Sequence, residues 1–211
     1  FSQAQTTEFR TAENTRTISL PDGSEVTLNR HTVLSYGDSF GAKNRAVNLE
    51  GEAFFEVQPD SKKPFLVLAG DARVQVIGTS FNVNAYDSLE SVEVVVETGV
   101  VSLQPAKGGD RRAEILAGEK GVISKSSKHI AVSVNDDLNF RAWSTQHLVF
   151  VDTDLLSVIQ ALEKTYNVEI STSTDVRACI VTVTFDKQSI ESVMKVLENT
   201  LNLKYTINRN K

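Results

Sequence analysis

Glu50, Glu52 and Glu56 share a short alternating run, and paired carboxylates on one face of a strand are the machinery of glycoside hydrolysis. Alternation puts Glu52 and Glu56 on the same sheet face, where such side chains ordinarily point into solvent. Glu52 also follows Gly51, and a buried carboxylate there, accepting backbone N–H donors, would fix a bend instead of moving protons. His31, His129 and His147 are scattered, with no H-x-x-x-H or H-x-E spacing for a metal. Asp136-Asp137 and Asp152-Thr153-Asp154 lack the glycine and distal glutamate of a calcium loop, and read as linker solvation and helix capping. The one cysteine, Cys179, precedes the apolar run Ile180 to Val183 and reads as a packed thiol. Neither G-x-G-x-x-G nor G-x-x-x-x-G-K-[ST] is present. These residue types predict no enzymatic activity, no metal and no cofactor.

Composition narrows the class. A chain of 211 residues accommodates two modest domains, and a net charge of −5 with no basic cluster argues against nucleic acid. Lys62-Lys63 and Arg111-Arg112, beside Pro, Gly or Asp, read as solvated turns. A lone cysteine allows no intrachain disulfide, and no run has the apolar length of a membrane span. Phe1 is not an initiator and the only methionine is Met194, so the chain is expected to be a fragment.

Stepping along the chain, Val47 and Leu49 alternate with polar neighbours, Gly51 interrupts, and Ala53, Phe55 and Val57 resume the period, which predicts strand, bend, strand. Pro59 and Pro64 bracket a polar corner, Phe65 to Leu68 is apolar on both faces, and Val74 and Val76 alternate with Arg73 and Gln75. Asp22-Gly23 predicts a hairpin turn, and Gly108-Gly109-Asp110 a second turn. Val92, Val94, Val96, Val101, Leu103, Ile115, Val122, Ile130, Val132 and Val134 extend a series of half-buried strands. The class is a mainly β domain: a two-sheet sandwich or jelly roll, with a short β-helix as the alternative.

Beyond the acidic stretch Asn135 to Asn139 the pattern changes. Laying Phe150 on Phe185 reveals an internal repeat in which Ser157 matches Ser192, Val158 Val193, Leu162 Leu197, Glu163 Glu198, Thr165 Thr200 and Asn167 Asn202. Each copy predicts strand, helix, strand. Leu155, Val158, Ile159, Leu162 and Tyr166 form one helical stripe, and Ile190, Val193, Met194, Leu197 and Leu201 the other. Asp154 and Ser189 are the expected N-caps, and Asn167 and Asn202 the expected left-handed closures.

One ordered set of signals carries a family resemblance: Arg45, Val47, Leu49, Gly51-Glu52-Ala53-Phe54-Phe55, Val57, Pro64-Phe65 and Gly78-Thr79-Ser80-Phe81-Asn82-Val83. With Leu20-Pro21-Asp22-Gly23-Ser24, Glu97-Thr98-Gly99-Val100 and Leu116-Ala117-Gly118-Glu119, the stretch resembles the periplasmic domain of Bacteroidetes-type FecR-like anti-sigma factors. The resemblance favours a jelly-roll-like sandwich. Trp143, Leu148, Phe150, Leu162 and Tyr166 resemble the opening of the short domain shared by secretins and TonB-dependent transducers. The expected organisation is a membrane-proximal segment over residues 1–15, a β-sandwich domain over 16–141 and a small α+β domain of two β-α-β repeats over 142–211.

The resemblance implies the periplasmic sensor region of an inner-membrane anti-sigma regulator. Its implied partners are the signalling domain of a TonB-dependent outer-membrane transporter and, through a segment absent from this chain, a cytoplasmic sigma factor. The expected docking edge is Lys204, Tyr205, Thr206 and Ile207, with the Thr206 N–H as a donor to the partner. Two rivals are a secreted carbohydrate-binding module, using Tyr36, Phe40 and Tyr86 as an aromatic platform, and a secretin-like assembly module.

Overall fold

A computed structural model of the chain describes residues 5–42, 44–107, 111–172 and 179–209. Contacts divide the chain into two compact units, Phe1–Asp136 and Asp137–Lys211. The division falls inside the acidic stretch ahead of Ala142. The Asn139 side chain donates to Val149 O (2.9 Å) and accepts from Val149 N (2.8 Å), which ties the end of that stretch to the second unit.

The first unit is mainly β. Its strands in chain order are β1 (Thr6–Arg10), β2 (Arg16–Ser19), β3 (Glu25–Leu28), β4 (Val33–Gly37), β5 (Arg45–Glu56), β6 (Phe65–Ala69) and β7 (Ala72–Val76). They continue as β8 (Ser80–Ala85), β9 (Ser91–Thr98), β10 (Val100–Pro105), β11 (Ala113–Leu116), β12 (Glu119–Ser124) and β13 (Ile130–Val134). β1 thus lies within the stretch read as membrane-proximal, and it pairs with β4. The turn expected at Gly108-Gly109-Asp110 lies outside the described residues.

β5 organises everything else. Its first half, Arg45 to Glu50, pairs with β4 and β6, whereas its second half, Gly51 to Glu56, pairs with β3 and β8. One layer therefore runs β1-β4-β5-β6-β7-β10-β11, and the other β2-β3-β5-β8-β9-β12-β13. Among the described residues β5–β6 is the one parallel pair of strands, which makes the unit a two-layered sandwich and not a β-helix. Val26, Leu28, Ala53, Phe55, Phe81, Val83, Val92 and Val94 from one layer meet Val47, Phe65, Val67, Val74, Val101, Leu103 and Ile115 from the other in a single core. Through it Phe55 stacks on Phe81 at 5.1 Å and meets Phe65 edge-on at 6.1 Å.

Two residues make the double role of β5 feasible. Gly51 has φ +108°, and a Cβ there would lie 2.8 Å from Thr32 Cα, so the strand crosses between layers where no side chain fits. Arg45, 2% exposed, pins the other end. Its guanidinium donates to Lys63 O (2.6 Å), Gln58 O (2.7 Å), Asp22 Oδ2 (3.1 Å), Ile77 O (3.2 Å) and Asp60 O (3.4 Å), and lies 5.6 Å from the Phe65 ring centroid. One planar fork thereby holds the β2–β3 turn, the proline corner and the β7–β8 connection.

The second unit comprises α1 (Ala142–Thr145), β14 (His147–Asp154), α2 (Leu155–Tyr166), β15 (Val168–Thr172), β16 (Ile180–Asp186), α3 (Ile190–Leu201) and β17 (Tyr205–Arg209). Asp154 and Ser189 accept from the N–H of Ser157 and Ser192. The Ser157 hydroxyl and N–H, as donors to Asp154, hold its carboxyl below the ordinary aspartate value. Asn167 and Asn202 close the helices at φ 54° and 51°. Among the described residues the strands of each repeat do not pair with each other. β14 pairs antiparallel with β16 and β15 with β17, giving two separate two-stranded ladders. When Phe150 is laid on Phe185, Val149 falls on Thr184 and Ser171 on Thr206, and both couples are cross-strand partners. The ladders therefore obey a local two-fold relation between the repeats.

Replacing Gly51 by Ala should destabilise the first unit by about 3 kcal/mol, since it adds backbone strain at positive φ to a contact that Thr32 cannot vacate. Urea unfolding followed by tryptophan-independent circular dichroism measures this, and a change below about 1 kcal/mol would show that β5 tolerates a side chain at the crossing. Arg45→Lys should cost about 2 kcal/mol, because an ammonium cannot span the same acceptors. Equal stability of the lysine variant would remove the fork from the account.

Candidate partner-binding edge

The residues singled out for chemistry do not converge. Glu52 is 1% exposed while Glu50 and Glu56 are exposed, so the three surround no open site. Its carboxylate accepts from Asn29 Nδ2 (2.8 Å) and Asn82 Nδ2 (2.9 Å). The expected donors were backbone N–H groups; side-chain amides supply them, while Glu52's own backbone bonds Thr32 Oγ1 and Asn29 N. The corner role stands on different partners. His31 lies 3.4 Å from Glu13 and His147 3.2 Å from Asp186, both on the surface, and His129 is exposed. Cys179 packs against the second core, and its carbonyl accepts from Leu155 N. Asp152 bonds Thr182 across a bulge in β14. Among the described residues no three His, Cys, Asp or Glu side chains are placed to hold a metal ion.

The aromatic platform required by the carbohydrate reading is not formed. Phe40 is 7% exposed and sits between Tyr36 (4.9 Å) and Phe65 (5.9 Å) as part of the core. Tyr86 donates its hydroxyl to Arg30 O (2.6 Å), and burial pushes its phenol above the ordinary value. Loop position suggested exposure for these rings, but Tyr36 lies in β4 and packs with Phe40 on the core, and Tyr86 is held by its hydroxyl.

The edge expected at Lys204 to Ile207 has a clearer geometry. Lys204 precedes β17, and Tyr205, Thr206 and Ile207 pair with Thr172, Ser171 and Ile170 of β15. Ile170 N–H donates to Glu163 Oε1 (2.7 Å), not across the ladder, so Ile170–Ile207 is a non-hydrogen-bonded couple. Alternation then makes Ser171–Thr206 and Glu169–Asn208 the couples that exchange ladder bonds. The Thr206 N–H consequently points to β15, and the donors facing away from the ladder are those of Tyr205 and Ile207. Sequence alternation locates side chains but not N–H directions, which depend on the partner strand. A depression of about 280 Å³ beside this edge is lined by Ser171, Thr172, Lys204, Tyr205 and Thr206. Tyr205 and Ile207 rest their side chains on the second core, which fixes the strand that carries them. No helix among the described residues is long and apolar enough to cross a membrane.

Comparison with known proteins agrees with this architecture. Residues 7–102 match the family model described as FecR protein, and residues 147–211 the one described as FecR, C-terminal. No curated protein sequence matches the chain. Two crystal structures of a candidate anti-sigma factor from Parabacteroides distasonis ATCC 8503 are similar over nearly the whole length. One, at 30% identity, covers 97% of this chain and 100% of its own with a TM-score of 0.69; the other, at 29%, covers 98% and 100% with a TM-score of 0.68. With both units matched in order and a relative aligned along its full length, the chain belongs to the FecR family of anti-sigma factors.

Proposed function

We propose that this chain is the periplasmic sensor region of a membrane-anchored anti-sigma regulator, and that it binds the signalling domain of a TonB-dependent outer-membrane transporter through the outer edge of β17. The sigma factor is reached through a segment outside this chain, so the signal is passed by contact and no reaction is catalysed. Membership of an anti-sigma family supports the regulatory role. The observation that supports this site is the pair of outward N–H groups at Tyr205 and Ile207 on a ladder that has two strands among the described residues. Such an edge gains hydrogen bonds from an added strand, and alternating side chains supply selectivity. For transmission, the transporter domain must bind one state of the regulator more tightly than another, since equal affinity shifts no population.

Titration calorimetry with the signalling domain of the transporter encoded beside this gene should show saturable binding. Ile207→Pro removes an outward donor and should weaken binding by about tenfold, in line with the loss of roughly one well-made hydrogen bond. Thr206→Pro, by contrast, breaks the β15–β17 ladder and should lower the stability of the second unit. Full affinity in Ile207→Pro would sink the β17 edge, and no saturable binding with both proteins folded would sink the transporter assignment.

A further inference from the structure

The two-fold relation gives the second unit two equivalent edges, the outer sides of β15 and β17, yet the structure treats them differently. On β15 the Ile170 N–H is already taken by Glu163 Oε1 of α2 at 2.7 Å. Glu163 and Ile170 correspond in the repeat to Glu198 and Tyr205. There the glutamate is conserved between the copies but is engaged elsewhere: Lys195 Nζ donates to Glu198 Oε2 at 2.6 Å. The residue of the first repeat that corresponds to Lys195 is Gln160, which carries no charge. The same acid thus caps one edge and leaves its twin open, and beside it the copies differ by the exchange of Gln160 for Lys195.

We propose that Glu163 is a plug that closes β15 to strand addition, and that the Lys195–Glu198 pair is a lock that keeps β17 open for a strand of a partner protein. The inference rests on the edge reading above and adds to it why only one of two equivalent edges is used. A carboxylate already bonded to an ammonium one helical turn away has less to gain by capping Tyr205 N–H than Glu163 has by capping Ile170 N–H. The occupant is an extended segment, because only a strand satisfies outward donors and acceptors spaced at alternate residues. The plug also leaves a second copy of this chain with no matching edge on β15.

Amide hydrogen exchange on the whole chain, read residue by residue by NMR, separates the parts of the proposal. Lys195→Gln restores the local sequence of the first repeat, frees Glu198, and should slow exchange at Tyr205 by about tenfold; Glu163→Ala should speed exchange at Ile170 by a similar factor, whereas Glu163→Gln, which keeps an acceptor, should not. Lys195→Gln should also weaken binding of the transporter signalling domain by about tenfold, since the edge must first be uncapped. Unchanged exchange at both amides overturns the plug and the lock, whatever the affinity. Slowed exchange at Tyr205 with undiminished affinity supports the lock and overturns β17 as the docking edge. Faster Ile170 exchange accompanied by concentration-dependent self-association of Glu163→Ala would support the plug directly.

Discussion

The first unit depends on one strand serving two layers. A β-strand carries hydrogen-bonding groups on two sides only, so β5 can take β4 and β6 in one layer and β3 and β8 in the other only by turning between them. The turn occurs where Gly51 lies against Thr32, and it sets the surroundings of both flanks. Before it, Arg45 faces the loops at one end of the sandwich; after it, Glu52 is shut in among Asn29, Asn82 and Thr32. Both side chains are buried, and each is satisfied by several hydrogen bonds as burial demands, Arg45 from three connections and Glu52 from Asn29 and from Asn82 of β8.

Much of this was legible in the residues. Alternation found the strands of the sandwich, the break at Gly51 marked the bend, and the repeat with its Asp154, Ser189, Asn167 and Asn202 boundaries outlined both helices. Local period, however, carries no information about which strand lies beside which. That the repeats exchange strands rather than pairing within themselves was therefore hidden, and with it the direction of the Thr206 N–H. Side chains that act on distant backbone were equally silent. Arg45 reads as one basic residue before a strand, although it gathers acceptors from three connections. Phe40 reads as a loop aromatic until Phe65, distant in the chain, is seen beside it.

Duplication explains the economy of the second unit. One β-α-β sequence, used twice about a local axis, supplies both ladders and both covering helices, and the buried faces of the copies have stayed alike: Val158 and Val193, Leu162 and Leu197. Divergence has gathered on the outer positions, where Leu156 faces Glu191 and Gln160 faces Lys195 in the correspondence. A core alike in both copies with a rim that differs lets the two halves fold by shared rules while their surfaces diverge.

The exchanged pairing also orders events in time. As the chain leaves the ribosome, or emerges from a translocation pore, β14 and α2 have no ladder to join until β16 appears, and β15 none until β17. The first repeat is an unpaired half whose apolar stripe lacks most of its cover. Folding of the second unit is thus a late, concerted step with long loops to close, and it comes after the sandwich has every strand it needs.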